Sequence, residues 1–326
     1  MSSPRTAARL PRVSVLMPAH NAEAYVAAAV RSALAGGEPD VEVLVVDDGS
    51  TDGTVAAVRS LEDDRVTVIP IAASGGPARP RNVALRHARA PYVAMLDADD
   101  VLKPGWLAAS SAALDRHAAA GFAFGDFERM DADGNVFETS ASYAYPTFRG
   151  LQWQPAGDDW RLLAQSELAR GLIHGNFIGT SSVVLRRELV IAVGGFDESL
   201  PNADDVDLWY RLAHRCAGLY SPHLAYSYRV LAGSVARGPP LRTALSRIKV
   251  LRRERARWHD RAARRQLDRR IAANLAGIGY QQRLRRARWL AVRSYLRAYV
   301  TSPESRWLAY LVAALLFGSE GEGLDG

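Results

Sequence analysis

The first hundred residues alternate between short apolar segments and segments of helical character, and few folds accommodate this pattern. The apolar segments, each predicted as a strand, are residues 13–17, 41–46, 66–69 and 92–96. Helices are predicted between them over residues 22–34, with Asn21 as the N-terminal cap, and over residues 51–61 and 82–87. Further along the chain, short strands and turns are predicted over residues 121–150 and a helix over residues 158–171. Strands that alternate with helices at this spacing form βαβ units and pair mainly in parallel. The predicted fold class is therefore α/β, with a mixed, mainly parallel sheet flanked by helices.

Polar clusters follow three of these predicted strands. They occupy residues 18–21, 47–50 and 97–100. In open α/β sheets, ligands bind at the carboxyl ends of the strands. Neither a G-x-G-x-x-G motif after the first strand nor a Walker A lysine loop occurs in the sequence. The sheet is therefore predicted to bind a nucleotide without either device.

The sequence Asp97-Ala98-Asp99 ends the fourth predicted strand. Residues two apart in a strand face the same side, so both carboxylates can hold one divalent cation and, through it, a diphosphate. Hard oxygen ligands suit Mg²⁺ or Mn²⁺, which would stabilise charge on a departing nucleoside diphosphate. Taken alone, D-x-D is more typical of a solvated Asp-rich turn or a helix cap. Asp48 also has two interpretations: it either ends a strand before a turn or accepts a hydrogen bond from a base N–H.

Several short motifs follow one another along the chain. They are residues 13–21 (VSVLMPAHN), 45–54 (VVDDGSTDGT), 75–77 (GGP) with Arg81-Asn82, 96–100 (LDADD), 194–198 (GGFDE) and 204–209 (DDVDLW). In this order and spacing they resemble a family 2 glycosyltransferase of the GT-A fold. The resemblance covers residues 12–230.

This resemblance implies inverting transfer of a sugar from a nucleoside-diphosphate donor, UDP by default, in the synthesis of cell-surface polysaccharide or glycolipid. The acceptor would be a hydroxyl of a glycan or a lipid-linked molecule, and the cofactor Mg²⁺ or Mn²⁺. The resemblance also implies that the donor nucleotide-sugar is bound by Pro18, His20, Asn21, Asp48, Arg81 and Asp97.

The resemblance also makes Asp99 the main metal ligand and Asp205 the general base. A base must lie within hydrogen-bond reach of the acceptor hydroxyl. Asp204 and Trp209 fall on the expected acceptor side. For Asp204 and Asp205 an acidic helix N-terminus is a second interpretation. For Trp209 packing is the more common role.

The sequence departs from the family pattern where a histidine often follows a Tyr-Arg pair. Here Leu231 stands after Tyr228-Arg229-Val230, and His223 is out of register. Either Asp99, the diphosphate and water hold the metal, or Arg229 and Arg237 supply positive charge instead.

A second departure is Pro80, which interrupts the usual Ala-Arg-Asn sequence. A proline within a helix removes a backbone donor and crowds the preceding turn. We therefore expect Arg79 and Arg81 to be displaced by part of a turn.

The net charge of +6 is unevenly distributed. Residues 241–300 carry 18 basic and 3 acidic side chains, a balance of +15, and are predicted to be helical. The predicted domains are a flexible N-terminus (1–11), a GT-A domain (12–235) and a basic helical region (236–326). This region either packs on the catalytic domain or meets anionic lipid. Nucleic-acid binding ranks last, because no RNA-binding or zinc motif occurs.

The expected location is the cytoplasm, with peripheral contact at the inner face of the membrane. Residues 1–12 do not resemble a signal peptide, and the apolar segment 307–317 is shorter than the roughly 20 residues that a membrane-spanning helix needs. Cys216 is the single cysteine, so an internal disulfide is excluded.

Two alternatives remain open on the sequence alone. A sugar-1-phosphate nucleotidyltransferase has a similar sheet and metal carboxylates, but needs a glycine-rich basic loop that residues 18–21 lack. A non-catalytic protein that binds a sugar nucleotide or a membrane is the other, and Leu231 in place of the histidine keeps it open.

Overall fold

The computed structural model describes residues 10–35, 40–140, 142, 146–231 and 240–316. The strands are β1 (Val13–Ala19), β2 (Val41–Asp48), β3 (Val66–Ile71), β4 (Tyr92–Met95), β5 (Val101–Leu102), β6 (Ala120–Met130), β7 (Val136–Glu138), β8 (Gln154–Pro155), β9 (Arg161–Leu163), β10 (Val184–Arg186) and β11 (Ala217–Arg229). The helices are α1 (Val26–Leu34), α2 (Thr54–Arg59), α3 (Ala78–His87), α4 (Trp106–Arg116), α5 (Pro146–Arg149), α6 (Gln165–His174), α7 (Arg187–Ala192), α8 (Asp204–Ala213), α9 (Pro240–Arg257), α10 (Arg261–Leu284), α11 (Arg288–Thr301) and α12 (Ser305–Leu316).

One mixed sheet, built from strands between residues 13 and 229, has the order β3-β2-β1-β4-β10-β6-β11-β9-β8. The long strands pair in parallel, β3 with β2, β2 with β1, β1 with β4, and β6 with β11. Strand β10 joins the two parallel groups by antiparallel pairing with β4 and β6. The predicted α/β architecture and its four N-terminal strands are confirmed.

The three central strands of the N-terminal group are apolar because helices cover both faces of the sheet. Every residue of β2 and β4 is buried, and so is every residue of β1 except Pro18. Strands buried on both faces carry continuous rather than alternating apolar sequence. The apolar segments therefore end where the chain leaves the sheet, and polar residues begin there.

The prediction was wrong in the middle of the chain. Residues 158–171 were expected to be helical, but β9 occupies Arg161–Leu163 and α6 begins only at Gln165. Strand β6 is a continuous strand of 11 residues rather than a series of short ones. Its pattern is broken by Asp126 and Glu128, which are buried because neighbouring side chains satisfy them.

The chain divides into two compact units. The first holds residues up to 200 together with 204–231, and the second holds 201–203 together with the chain from 232 onward. In the second unit, Asp260 caps α10 by accepting hydrogen bonds from the backbone N–H groups of Ala262 and Ala263. The predicted boundary at 235/236 falls within residues 232–239, outside the described residues, and stays a prediction. No helix among the described residues is both long and apolar enough to span a bilayer.

Gly49 turns the chain sharply at the end of β2. Its φ of +70° lies in the left-handed region, and a Cβ atom there would lie 2.8 Å from the backbone nitrogen of Ala73. Glycine is therefore needed both for the backbone conformation and for the close approach. This approach brings the loop that follows β3 against the end of β2.

Replacing Gly49 by alanine should destabilise the protein by about 2–4 kcal/mol, combining left-handed strain with the clash. Gly105→Ala is the matched control, because Gly105 also has a positive φ (+78°) but nothing lies within 4 Å of its Cβ position. The control should lose only about 1–2 kcal/mol. Urea unfolding of both variants checks this, and equal losses would contradict the steric argument.

Candidate active site

The carboxyl ends of β1, β2 and β4 bring the predicted donor-side residues to one edge of the sheet. Asp47 and Asp48 end β2, and Asp97 and Asp99 follow β4. Strand β1 lies between them, so the two acidic groups are separated by roughly 10 Å across the sheet. Pro18 lies near the end of β1 at the same edge.

Arg81 connects the acidic end of β4 with the start of α8. Its Nη2 donates to Asp97 Oδ1 at 2.6 Å, and its Nη1 donates to Asp204 Oδ2 at 2.8 Å. The residue is buried, at 3% exposure. Burial alone would lower the pKa of Arg81, but the charges of Asp204 and Asp97 outweigh it and raise that pKa. Arg81 therefore bridges two carboxylates at the edge where the diphosphate was expected.

Pro80 does not interrupt α3. The helix runs without a break from Ala78 to His87, and Arg81 is the first residue of the helix whose N–H bonds a turn back, to Pro77 O at 3.0 Å. Pro80 occupies the first turn, where N–H groups lack intrahelical partners in any helix. The proline therefore costs no hydrogen bond, and Arg81 is directed inward while Arg79 is exposed.

The acidic pair at the start of α8 divides into a buried and a half-buried carboxylate. Asp204 is buried against Arg81, and burial raises its pKa to about 6 even against the charge of that arginine. Asp205 is half-buried, and its Oδ2 accepts a hydrogen bond from Thr180 Oγ1 at 2.7 Å. Of the two carboxylates, Asp205 is the one that an acceptor can reach.

Trp209 lies in the core. It is fully buried and stacks on Phe122 with ring centroids 6.1 Å apart. A side chain in this position cannot contact an acceptor while the core is intact. The structure therefore favours the packing interpretation of Trp209. Because Asp204 is buried as well, neither residue is included in the proposed acceptor site.

Three carboxylates crowd the segment that follows β4. Asp100 is buried and accepts hydrogen bonds from Ser181 Oγ at 2.6 Å and from the backbone N–H of Arg229 at 2.9 Å. Burial, and next the charge of Asp97, raise the pKa of Asp99 to about 6. The segment thus holds more negative charge than its own surroundings neutralise.

Arg229 fixes this segment through carbonyl groups. Its Nε donates to Asp99 O at 2.9 Å, and its Nη1 donates to the carbonyls of Asp131 and Ala132 at 3.1 and 2.8 Å. Its guanidinium lies over the Tyr25 ring, 4.8 Å from the centroid. Arg229 is thus largely committed to positioning the backbone of the acidic segment. Arg237 lies outside the described residues.

The acidic segment fits a divalent cation that is shared with a ligand. Within the described residues no three His, Cys, Asp or Glu side chains converge as a complete metal site. His223 does not supply the missing ligand, since it is exposed and lies six residues before Arg229, roughly 20 Å along β11. Asp99 and Asp97 are the two carboxylates of this segment that could hold such a cation. Mg²⁺ is typically held by one or two carboxylates, with phosphates and water completing its shell.

At the other end of the edge, Ser74 holds the carboxylate of Asp48. The Ser74 N–H donates to Asp48 Oδ1 at 2.8 Å, and its hydroxyl donates to Asp48 Oδ2 at 2.9 Å. His20 Nδ1 lies 2.9 Å from the carbonyl oxygen of Asp48. The carboxylate is therefore fixed in orientation, with further lone pairs left to accept a base N–H.

Asn21 ties two loops together rather than capping α1, as had been expected. Its Oδ1 accepts from the backbone N–H of Thr51 at 2.8 Å, and its own N–H donates to Ser50 Oγ at 2.9 Å. Its φ of 49° is left-handed, a conformation that asparagine tolerates. Asn21 thereby supports the loop that carries His20.

Sequence reasoning missed Ser74, Thr180 and Ser181. Each lies in a loop or short turn, and the hydroxyl of each donates a hydrogen bond to an acid of this edge. No spacing or motif marks such a residue, because its partner is distant in sequence. Only the fold reveals them.

Solved structures share this fold. TarS 1–349 of S. aureus, in complex with UDP-GlcNAc, matches 93% of this chain and 87% of its own with a TM-score of 0.65 at 20% identity. The mannosyltransferase PcManGT from Pyrobaculum calidifontis, in complex with GDP-Man and Mn²⁺, matches 95% and 87% with a TM-score of 0.58 at 18% identity. The fold is that of the GT-A class of glycosyltransferases.

The family follows from sequence. The model of glycosyl transferase family 2 matches residues 14–183, just over half of the chain, and the chain belongs to this family. It is 30% identical over 233 residues to the succinoglycan biosynthesis protein ExoO of Rhizobium meliloti, covering 70% of this chain and 64% of ExoO. It is 37% identical over 130 residues to the putative teichuronic acid biosynthesis glycosyltransferase TuaG of Bacillus subtilis, covering 39% of this chain and 51% of TuaG. The chain thus spans less than two thirds of either relative.

Asp99→Asn should stabilise the ligand-free protein above about pH 6. Because folding raises the pKa of Asp99 from 3.8 to about 6, the ionised form opposes folding above that pH, and the penalty vanishes as the pH falls below 3.8. The gain should be at most about 3 kcal/mol well above that pKa. Thermal unfolding across this range checks it, with exposed Asp64→Asn as the control of equal charge change. A gain that does not depend on pH would contradict the cause.

Proposed function

We propose that the chain transfers a sugar from a nucleoside-diphosphate donor to a hydroxyl of a glycan or lipid-linked acceptor, with inversion at the anomeric carbon. The observation that carries the proposal is the bridge of Arg81 between Asp97, on the donor side, and Asp204, next to Asp205. It brings the acidic end of β4 and the reachable carboxylate of Asp205 into one region, which supports a bound cation and a base at one site. These are the two groups that displacement of a diphosphate requires.

UDP is the default nucleotide of the proposed donor, and the transferred sugar is of the hexose type. Asp48, oriented by Ser74, would accept a hydrogen bond from the base, and Pro18 and His20 would line that end of the site. TarS with UDP-GlcNAc and PcManGT with GDP-Man, both of the same fold, support a sugar nucleotide. The names of ExoO and TuaG support a setting in the synthesis of cell-surface polysaccharide.

Asp99 and Asp97 would hold Mg²⁺ or Mn²⁺ together with the diphosphate. The bound cation would stabilise the negative charge of the departing nucleoside diphosphate, so no acid is needed on that side. The raised pKa of Asp99 supports this proposal, because a cation relieves the repulsion that raises it. Asp97 is turned toward Arg81 through Oδ1, which leaves Asp99 as the main ligand.

Asp205 would take the proton of the acceptor hydroxyl. Thr180 holds its Oδ2, and the backbone N–H of Val206 lies 2.7 Å from its Oδ1, so the carboxylate keeps one orientation. A base on one side of the anomeric carbon and a cation-bound leaving group on the other give in-line displacement, hence inversion.

The membrane contact is also a proposal. The excess charge of +15 over residues 241–300 would attract the anionic inner face of a cell membrane. A peripheral enzyme at this face would meet both a nucleotide sugar in the cytoplasm and a lipid-linked acceptor. No nucleic acid partner is proposed.

Asp205→Asn should lower sugar transfer by at least about 100-fold, the usual contribution of a general base. Asparagine keeps an oxygen for the Thr180 hydroxyl, so folding and donor binding should persist. Exposed Glu188→Gln carries the same charge change and should transfer normally. Transfer assays with a radiolabelled UDP-sugar and cell-surface glycan acceptors check both variants. Full activity of Asp205→Asn would remove the base assignment.

Thermal unfolding with added nucleotides should report the donor and the metal together, since ligands of the native state raise its stability. The midpoint should rise most with UDP plus Mn²⁺, less with UDP alone, and least with GDP. In Asp99→Ala the Mn²⁺-dependent part should disappear while the UDP part remains. Equal shifts for UDP, GDP and dTDP would contradict base recognition by Asp48.

A further inference from the structure

Three helix ends meet at one end of the second unit. Helix α10 ends at Leu284 and α11 begins at Arg288. The guanidinium of Arg288 donates from Nε to Ala314 O at 3.2 Å and from Nη2 to Leu315 O, in the last turn of α12. We name this end, residues 283–290 and 314–316, the helical tip.

The helical tip exposes large apolar side chains. Trp289 is 71% exposed, Leu316 68% and Leu284 60%, and Leu290 is also exposed. Contiguous exposed apolar groups of this size are uncommon on soluble proteins and mark interaction sites. Tyr280, one turn before Leu284 on α10, is exposed as well.

Positive charge surrounds these apolar side chains. Residues 283–297 contain six arginines and no acidic residue. Arg285 and Arg286 are exposed in the turn between α10 and α11. The guanidinium of Arg288 lies over the Trp289 ring, 5.5 Å from its centroid. Two copies of the chain meeting through this tip would bring like charges together, whereas an anionic surface would neutralise them.

We propose that the helical tip binds the surface of a bilayer that contains anionic lipids. The proposal rests on the membrane contact proposed above and names the surface that makes it. Tryptophan and leucine enter the boundary between head groups and acyl chains, and arginines reach the lipid phosphates. This is interfacial binding, in keeping with the absence of a spanning helix among the described residues.

Co-sedimentation of the full chain with vesicles tests the proposal. Binding is expected to vesicles of equal parts phosphatidylcholine and phosphatidylglycerol, and little to phosphatidylcholine alone. The double variant Arg285→Gln/Arg286→Gln should bind the anionic vesicles at least about 10-fold more weakly. The matched control Arg252→Gln/Arg265→Gln removes the same charge from exposed sites, with Arg265 roughly 30 Å from Arg285 along α10, and should change binding little.

Trp289→Phe supplies a second readout. The blue shift of tryptophan emission on addition of anionic vesicles should be smaller in this variant, because Trp289 is the tryptophan expected to enter the bilayer. The thermal shift with UDP and Mn²⁺ should be unchanged in every tip variant. The membrane proposal can thus fail while the proposed sugar transfer, which is tested by its own assays, stands.

Three outcomes would overturn the proposal. If the unaltered chain does not bind anionic vesicles, both the proposed role of the tip and the proposed membrane contact are wrong. If the two double variants weaken vesicle binding equally, overall charge causes the attraction. The membrane contact then stands, and the proposed role of the tip is wrong. If the chain is a dimer that Trp289→Ala separates while vesicle binding is unchanged, the surface belongs to a second copy.

Discussion

The arrangement of the site depends on one buried guanidinium. Arg81 is held between Asp97 and Asp204, and Asp205 adds a third negative charge beside it. A buried carboxylate that loses its counter-ion costs roughly 3–5 kcal/mol, so neither acid can leave the arginine cheaply. Yet one positive charge does not neutralise three carboxylates, and Asp99 adds a fourth. The ion pairs thus fix the geometry of the acids and leave part of their negative charge without a neutralising partner.

The sheet determines which groups can share this region. Because β1, β2 and β4 run parallel, their polar ends lie at the same edge. Gly49 then lets the loop after β3 approach closely enough for Ser74 to orient Asp48. Base recognition, cation binding and proton removal are thus proposed at one edge, each supported by a different strand end. The raised pKa of Asp99, caused first by burial, means that its ionised form opposes folding.

Sequence alone predicted those parts of the fold in which apolar pattern and burial agree. The strands that lead to Asp48 and Asp97 are fully buried, so their residues are predicted as strands without knowledge of the partners. Strand β6 was not predicted, because Asp126 is buried only with the help of loop residues distant in sequence. In the site, acids within motifs were predicted. The burial of Asp204 against Arg81, in contrast to the half-buried Asp205, was not predicted, because the sequence does not show burial.

A double-mutant cycle on Arg81 and Asp204 tests most directly whether this ion pair holds the site together. The free energy of unfolding in urea would be measured for Arg81→Met, Asp204→Asn and the double variant. We predict that Asp204→Asn destabilises the unaltered protein, in which Arg81 loses a partner. In the Arg81→Met background it should stabilise, because an uncompensated buried carboxylate is removed, with a coupling of about 2 kcal/mol or more. Effects that add to within about 0.5 kcal/mol would contradict the account.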